Sequence, residues 1–558
     1  MSKKILCALL LAAMVLSLVA CGTSGAGTAS EKPAESTAPA ETTTPVESQA
    51  PVEESTAPDD GGEYQLGDIQ YGIDFDAEPY IVDYFMNGQG QSPSEERIEN
   101  AINAHIKDLI NAQVNFTMLD SASWNEKCIV AVQSGEKCDL MFTSGSNYMR
   151  DAAAGLFTPL NDPNLETYGD LINDYCPSFR TNAPKDAFLF SNLYNGLIWG
   201  VPVYKEICVP NGIIYNTEVL EKVGMLEEAT NGTWTDYNIW DFLDKYLPAA
   251  KEAFPDYDGF AFSGGLDNLL GAGDSNFGIR RAPVNGQWEE DLHFRYEWDE
   301  TRHQLEKMAE YYDLGYLNPD SMLDTYDYWA CFNSGKWCVD YSEILKGFTI
   351  KSDEMIAASG NDNLRCTEVQ TEPKIKLGHN NGSMQAVPST SENPLVALKY
   401  LELNYRDEVV VNLHLWGEEG IDYTKKPDVG PMAVEASPNS DWIGTCPAAW
   451  KCGNILIQYV SVKEAQDKNQ KLIDFAETDD VLTNAFFGFN FNTTTVTAER
   501  AAVSAAQEGL TRSLLGGAYG KAGWAAKADE LTKKSYDAGM QTIMDEYIKQ
   551  YNEWKASK

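Results

Sequence analysis

Side chains able to attack, protonate or coordinate are plentiful in this chain, but none stands at a spacing that such chemistry demands. Acidic neighbours occur at Glu289 and Glu290, Glu418 and Glu419, and Asp479 and Asp480. Adjacent acids project in different directions from a helix or strand, so these pairs read as solvated surface. Glycoside cleavage instead needs two carboxylates held at a set separation in space. The five histidines (105, 293, 303, 379 and 414) form no HExxH, and no GxSxG elbow is present. The 11 cysteines contain no CxxC, and Cys331 with Cys338 and Cys446 with Cys452 lack metal-ligand spacing. Pro255-Asp256-Tyr257-Asp258-Gly259 lacks a full calcium ligand set and reads as a turn. GxxxxGK is absent, as is a GxGxxG opening a helix. The expectation is no catalytic residue, no metal and no cofactor. What remains are two loops of small and amide-bearing residues, Asn87-Gly88-Gln89-Gly90-Gln91 and Thr143-Ser144-Gly145-Ser146-Asn147-Tyr148. Such loops offer accessible backbone groups and short polar contacts, and on sequence alone they are more often turns than sites.

The elements that would position these loops are legible around them. A strand-like run from Pro79 to Met86 precedes the first loop. An amphipathic helix follows, with Ile98, Ile102, Ile106, Leu109 and Ile110 on one face. Ser92 and Glu95 make a capping box at its start, and Pro93 suits the first helical position. Val114 to Leu119 reads as a strand, residues 124 to 134 as a helix, and Cys138 to Phe142 as a buried strand. Alternation of this kind predicts a parallel sheet with crossover helices, whose ligands gather at the carboxyl ends of the strands. Helical spacing of Ala528, Leu531, Tyr536, Met540, Ile543, Tyr547 and Tyr551 predicts one C-terminal helix over about 525–555.

The amino terminus carries address information. Lys3 and Lys4 precede an apolar run from Ile5 to Val19, a secretory signal pattern too short to span a bilayer. Leu18-Val19-Ala20-Cys21-Gly22 resembles the bacterial lipobox. That resemblance implies cleavage before Cys21, a diacylglyceryl thioether on its sulfur, and a mature protein anchored by lipid to the extracytoplasmic face of the cell membrane. From Gly22 to about Gly62 the chain is mostly Ser, Thr, Ala, Glu and Pro, without aromatics, a composition that predicts a disordered, extended leash. The formal charge of -42 argues against nucleic acid or anionic lipid as partners. Setting aside Cys7 and Cys21, the remaining cysteines read as small buried hydrophobes.

The body's segments also fit a family. Residues 135–160 (GEKCDLMFTSGSNYMRDAAAGLFTPL), 195–202 (NGLIWGVP), 213–219 (IIYNTEV), 233–243 (TWTDYNIWDFL), 332–340 (FNSGKWCVD) and 391–401 (SENPLVALKYL) resemble, in order, the family-1 extracellular solute-binding proteins of ABC importers, the maltose-binding-protein group. Residues 415–423, 488–496 and 537–554 resemble a C-terminal domain of unknown function in sugar-binding lipoproteins of Gram-positive bacteria. The resemblance implies an α/β fold of the type II periplasmic-binding-protein kind, with two lobes joined by a multi-strand hinge. The expected partition is a signal peptide over 1–20 and a lipidated linker over 21–65. Lobe 1 would take 66–200 plus 385–430, and lobe 2 205–380 plus 440–558, with crossovers near 200–206, 381–387 and roughly 430–440. It implies a monomeric receptor that closes on a small solute, a carbohydrate, and delivers it to ABC permease subunits. A secreted carbohydrate-active enzyme and a receptor for a non-sugar solute such as a peptide are the alternatives.

Carried over by position, the implied ligand contacts in the first lobe are Asn87, Gln89, Ser144, Ser146, Asn147 and Tyr148. At the crossover they are Tyr204, Lys205 and Glu206; across the cleft they are Asp267, Asn268, Tyr341, Glu343 and Trp442. Neither first-lobe loop holds an Arg, so the expectation is an uncharged to mildly acidic surface that prefers neutral polyols.

Overall fold

Alternation of apolar and polar residues turns Ala112–Asp120 into an edge strand: Val114, Phe116 and Met118 face the core while Gln113 and Asn115 face out. It pairs in parallel with Tyr80–Gly88 along its whole length, Tyr80 opposite Ala112 and Gly88 opposite Asp120. The carboxyl half of Tyr80–Gly88 is continuously buried, as a central strand covered on both faces must be. The structure is a computed structural model. It describes residues 66–181, 193–205, 211–260 apart from 233, 236 and 237, 271–280 apart from 274 and 275, 291–322, 331–343 apart from 332 and 333, 364–370, 374–376, 382–476, and 481–556 apart from 484, 487, 488 and 490.

Between those two strands runs the helix Glu95–Ile110, which buries Ile98, Ile102, Ile106 and Ile110. It begins later than the sequence predicts. Glu95 does reach back to the Ser92 backbone N–H (2.7 Å), as a capping box requires. The Ser92 hydroxyl, however, accepts from Ser94 N (3.2 Å) and donates to the Asp441 carbonyl (3.2 Å), so Pro93 and Ser94 lie in a turn before the helix.

The first sheet has the order Ala112–Asp120, Tyr80–Gly88, Leu140–Thr143, Met384–Ala386, Val201–Pro202. Its first three strands are parallel and the last two pairings are antiparallel. The chain thus leaves this sheet at Val201–Pro202 and returns beside it at Met384–Ala386. A second sheet, in the order Trp234–Thr235, Leu364–Gln370, Asn211–Asn216, Trp337–Glu343, Asp258–Phe260, is built from the residues in between. Its core lies between that sheet and the helices Thr217–Val223, Ile239–Ala253 and Asp299–Asp313.

A third core joins Phe277, Ile279 and Phe294 to the C-terminal helices. The helix Asp299–Asp313 is shared: Met308 and Tyr311 enter the second core, Leu305 the third. The predicted single C-terminal helix is two, Gly520–Asp537 and Met540–Ala556. Gly539 sits between them at φ +111, a conformation that stops a helix and that glycine adopts without strain.

Residues 440–476 depart from the expected partition. Trp442, Ile455 and Ile473 are buried in the first core, with Val82, Phe116 and Leu398. The third passage of the chain comes later than 430–440, because Val481–Thr483 pairs with Lys374–Lys376 only after the helix Lys468–Ala476 ends. Seven cysteines have described thiols, all free, and burial pushes those of Cys128, Cys338, Cys446 and Cys452 up to about 12.

Candidate functional site

The three parallel strands end at Gly88, Asp120 and Thr143. Thr143 pairs with Met384, which in turn pairs with Pro202, so both interlobe passages run beside the carboxyl edge of the sheet. A further segment, residues 449–455, laces them together. Val203 N donates to the Ser383 carbonyl (2.9 Å), Tyr204 N to Gly453 O (2.9 Å), and Ile455 N to Tyr204 O (3.0 Å). The lacing depends on Gly453, at φ +52, where an added Cβ would fall 2.1 Å from the Asn404 carbonyl oxygen.

This segment brings two residues to the strand ends that the sequence did not mark. Trp450 is 46% exposed. Its carbonyl accepts from the Ser383 hydroxyl (2.7 Å), and its ring meets Phe142 edge-on at 6.2 Å. Lys451 is only 6% exposed. Its Nζ donates to Asn87 Oδ1 (2.9 Å), to the Asn87 carbonyl (3.3 Å) and to Ser121 Oγ (3.1 Å), and lies 5.1 Å from the centre of the Trp450 ring. Among the described residues no carboxylate pairs with it, and burial lowers its pKa. A buried lysine thus lies beneath the first-lobe surface, where no cation was expected.

Asn87 is 5% exposed, and its Oδ1 also accepts from Ser121 Oγ (2.6 Å). Its Oδ1 orients Lys451 and Ser121. Gln89 is exposed, bridged to the exposed Asp120 and tied through its N–H to the Thr445 carbonyl (3.1 Å). The expected loop at 143–148 is the start of a helix, Gly145–Ala153, with Ser144 as extended N-cap. Its first turn presents backbone N–H groups at the sheet's carboxyl edge, with half-buried Ser144 and Asn147 beside them. Ser146 occupies that turn.

Three expected contacts are placed elsewhere. Tyr148 is fully buried, and its hydroxyl accepts from Trp199 N (3.2 Å), so it supports the helix from behind. Tyr204 is buried between the first core and Asn454. Trp442 is 0% exposed, stacks on Phe116 at 6.4 Å and donates its indole N–H to the His414 carbonyl (3.0 Å). It belongs to the first core and has no face for a ligand. Lys205 is half-buried at the passage. Tyr341 and Glu343 lie at the end of Trp337–Glu343, opposite Ile213 and Asn211, where the chain has just entered the second sheet. Glu206, Asp267 and Asn268 lie outside the described residues.

The site could have been read further from sequence. Asp120 and Ser121 follow a predicted strand as directly as the other two loops do, and the same rule would have marked them. Trp450 and Lys451 carry no local signal. Chemically, the surface offers one exposed aromatic face, amide and carboxylate groups at loop tips, and helix-end N–H groups. A ring with apolar faces and hydroxyl edges meets all three. Among the described residues no group of three or more His, Cys, Asp or Glu is placed to hold a metal ion.

A two-lobed α/β fold whose chain passes between lobes beside a polar and aromatic strand edge defines a solute-binding protein. The chain belongs to the family described as bacterial extracellular solute-binding protein, whose model matches residues 94–409. A domain of unknown function (DUF3502) matches residues 485–556, within the third core. A carbohydrate ABC transporter substrate-binding protein of Streptococcus pneumoniae serotype 4 is 21% identical over 495 residues, covering 86% of this chain and 91% of that one. The crystal structure of the N-glycan transport solute binding protein (NgtS) from Streptococcus pneumoniae is similar at a TM-score of 0.69 and 20% identity, over 86% of this chain and 100% of that one. An HMO-binding, ABC-transporter-associated protein from Bifidobacterium longum infantis is similar at 0.58 and 15%, over 85% and 99%. These likenesses share the fold.

Proposed function

We propose that this protein is a lipid-anchored receptor that captures an oligosaccharide between its lobes and presents it to an ABC permease. The observation that carries the sugar reading is Trp450. A large ring left 46% exposed, braced by Phe142 and Lys451 at the carboxyl edge of the sheet, is a platform for the C–H face of a pyranose. Gln89, Asp120 and the first turn of Gly145–Ala153 would take the hydroxyls. Names of the similar proteins support the class: one is a carbohydrate substrate-binding protein, and NgtS is also known in complex with Man1GlcNAc. The ligand is bound and released without turnover, and hydrolysis of a glycan by the purified protein would overturn that.

A thermal-shift panel of manno-, malto-, fructo- and galacto-oligosaccharides, each from disaccharide upward, with amino acids, peptides and polyamines alongside, tests the reading. A ligand that binds the folded state raises the apparent Tm by mass action. A shift with one sugar series supports the proposal; shifts with peptides or polyamines alone contradict it. Anchoring is separable. Cys21→Ser should release the protein from the membrane fraction and leave solute binding unchanged, since a diacylglyceryl group supplies the two chains that stable attachment takes. Retention on the membrane after a high-salt wash would contradict the lipid anchor.

A further inference from the structure

A cavity lined by none of the Trp450 surface lies where the first lobe meets the C-terminal region. The hairpin formed by Leu193–Tyr194 and Leu197–Ile198 faces the helix Met540–Ala556 across about 630 Å³, within the range of about 300–1,000 Å³ usual for ligand sites. Its walls include Tyr194, Phe489, Asn492, Gln550, Glu553 and Trp554. From this geometry we infer that the cavity is an outer saccharide subsite, which takes a distal unit of a long, uncharged glycan whose other end rests on Trp450.

Three features point that way. First, aromatic rings come from both sides, Tyr194 from the hairpin and Trp554 from the helix, the latter stacked on Tyr551 at 5.8 Å. Second, the polar groups are organised in advance. Gln550 Nε2 donates to the Asn492 carbonyl (2.9 Å) and to Glu546 (2.8 Å), while Asn492 N donates to Gln550 Oε1 (2.9 Å). Asn492 Nδ2 in turn donates to the Tyr194 hydroxyl (3.2 Å), linking the two walls. The carboxylates of Glu546 and Glu553 line the cavity too, so they would accept from sugar hydroxyls and repel an anion. Third, the hairpin that bears Tyr194 is tied to the helix whose first turn lies at the strand ends. The Gly145–Ala153 helix holds Tyr148, whose hydroxyl accepts from Trp199 N; Trp199 Nε1 donates to the Tyr194 carbonyl (3.0 Å). A turn with Asn195 at φ +52 and Gly196 at φ +76 carries the hairpin tip into the cavity wall, with open space beside Gly196.

The inference rests on the carbohydrate reading, and chain length separates the two. The full mature protein, Trp554→Ala and Glu553→Ala are titrated calorimetrically with the short and long members of whichever panel series shifts the wild type. Glu553 is exposed, so its variant folds even if Trp554→Ala is weakened. The expected result is that Trp554→Ala loses about tenfold in affinity for the longest member and stays within about twofold for the disaccharide, by analogy with other lost ring contacts. Glu553→Ala should show the same length dependence at smaller amplitude. Equal losses for short and long, or no loss for either, overturn the subsite while the receptor reading stands. A wild type that binds no sugar series removes the receptor reading and the subsite together, and shows itself in the wild-type titration alone.

Discussion

Trp442 and Trp450 belong to one short stretch of chain and have opposite fates. Trp442 is sealed in the first core, its indole N–H matched to the His414 carbonyl and its ring laid on Phe116. Trp450 stands about half in the open at the strand ends, held by its backbone and braced by Phe142 and Lys451. A ring buried with its polar atom satisfied adds to stability. A ring left in water keeps apolar surface that burial against a ligand would recover. Identical residue types therefore divide into one that builds the lobe and one left open at its surface.

That division predicts unequal damage. Trp442→Ala should cost about 3–5 kcal/mol of folding stability, as large-to-small changes in a packed core do. Urea unfolding reads this directly, and molecules that remain folded should bind sugar with wild-type affinity. A weakened affinity at unchanged stability would reverse the assignment.

Acid should attack the same buried cluster. His414 is buried among Tyr84, Phe116, Tyr400 and Trp442, and desolvation lowers its pKa to about 3. The unfolded chain takes up a proton near the ordinary value of about 6.5. Stability from neutral His414 is therefore complete above that value and is lost as pH falls toward about 3, with a slope of up to about 1.4 kcal/mol per pH unit. His105, raised by its bond to Asp407, has the opposite sign: its contribution is present at low pH and fades as pH climbs through its folded value. The difference in urea stability between wild type and His414→Gln, followed from pH 7 to pH 4, isolates the first effect. A difference that does not change with pH would contradict it.

At the cleft, Lys451→Met should cost about 1–3 kcal/mol, because it takes one of the two donors from Asn87 Oδ1, leaving Ser121 Oγ, and removes the ammonium that bonds the Asn87 carbonyl. Sugar affinity should fall with it, since Asn87 and Ser121 lose the group that fixes them. Stability and affinity are measured on the same preparation. Unchanged affinity would remove Lys451 from the site's supporting structure.

Much of this was legible in the residues, and the division shows why some was not. Local periodicity named the Ile98, Ile102, Ile106 and Ile110 stripe and the three parallel strands, because side-chain spacing alone decides them. Strand ends then marked the loops 87–91 and 143–148, Asn87 and the buried Tyr148 included, as places where a ligand would meet the sheet. The helix start at Gly145 was missed because a run of Ser, Gly and Asn looks alike in a loop and in a first turn. Gly539 did carry a signal, lying just past a periodic stretch as a helix-ending glycine does. The tryptophans could not be told apart. What buries Trp442 is Phe116 and His414, and what exposes Trp450 is a lacing through Ser383 and Gly453, all set by the tertiary path of the chain.

The central claim is that Trp450 is the platform for the solute and Trp442 is not. Calorimetric titration of Trp450→Ala with the panel sugar that most stabilises the wild type tests it most directly. The expected loss is about 1–3 kcal/mol of binding free energy, at a folding stability within about 0.5 kcal/mol of wild type because the ring is exposed. Wild-type affinity in Trp450→Ala would contradict the account.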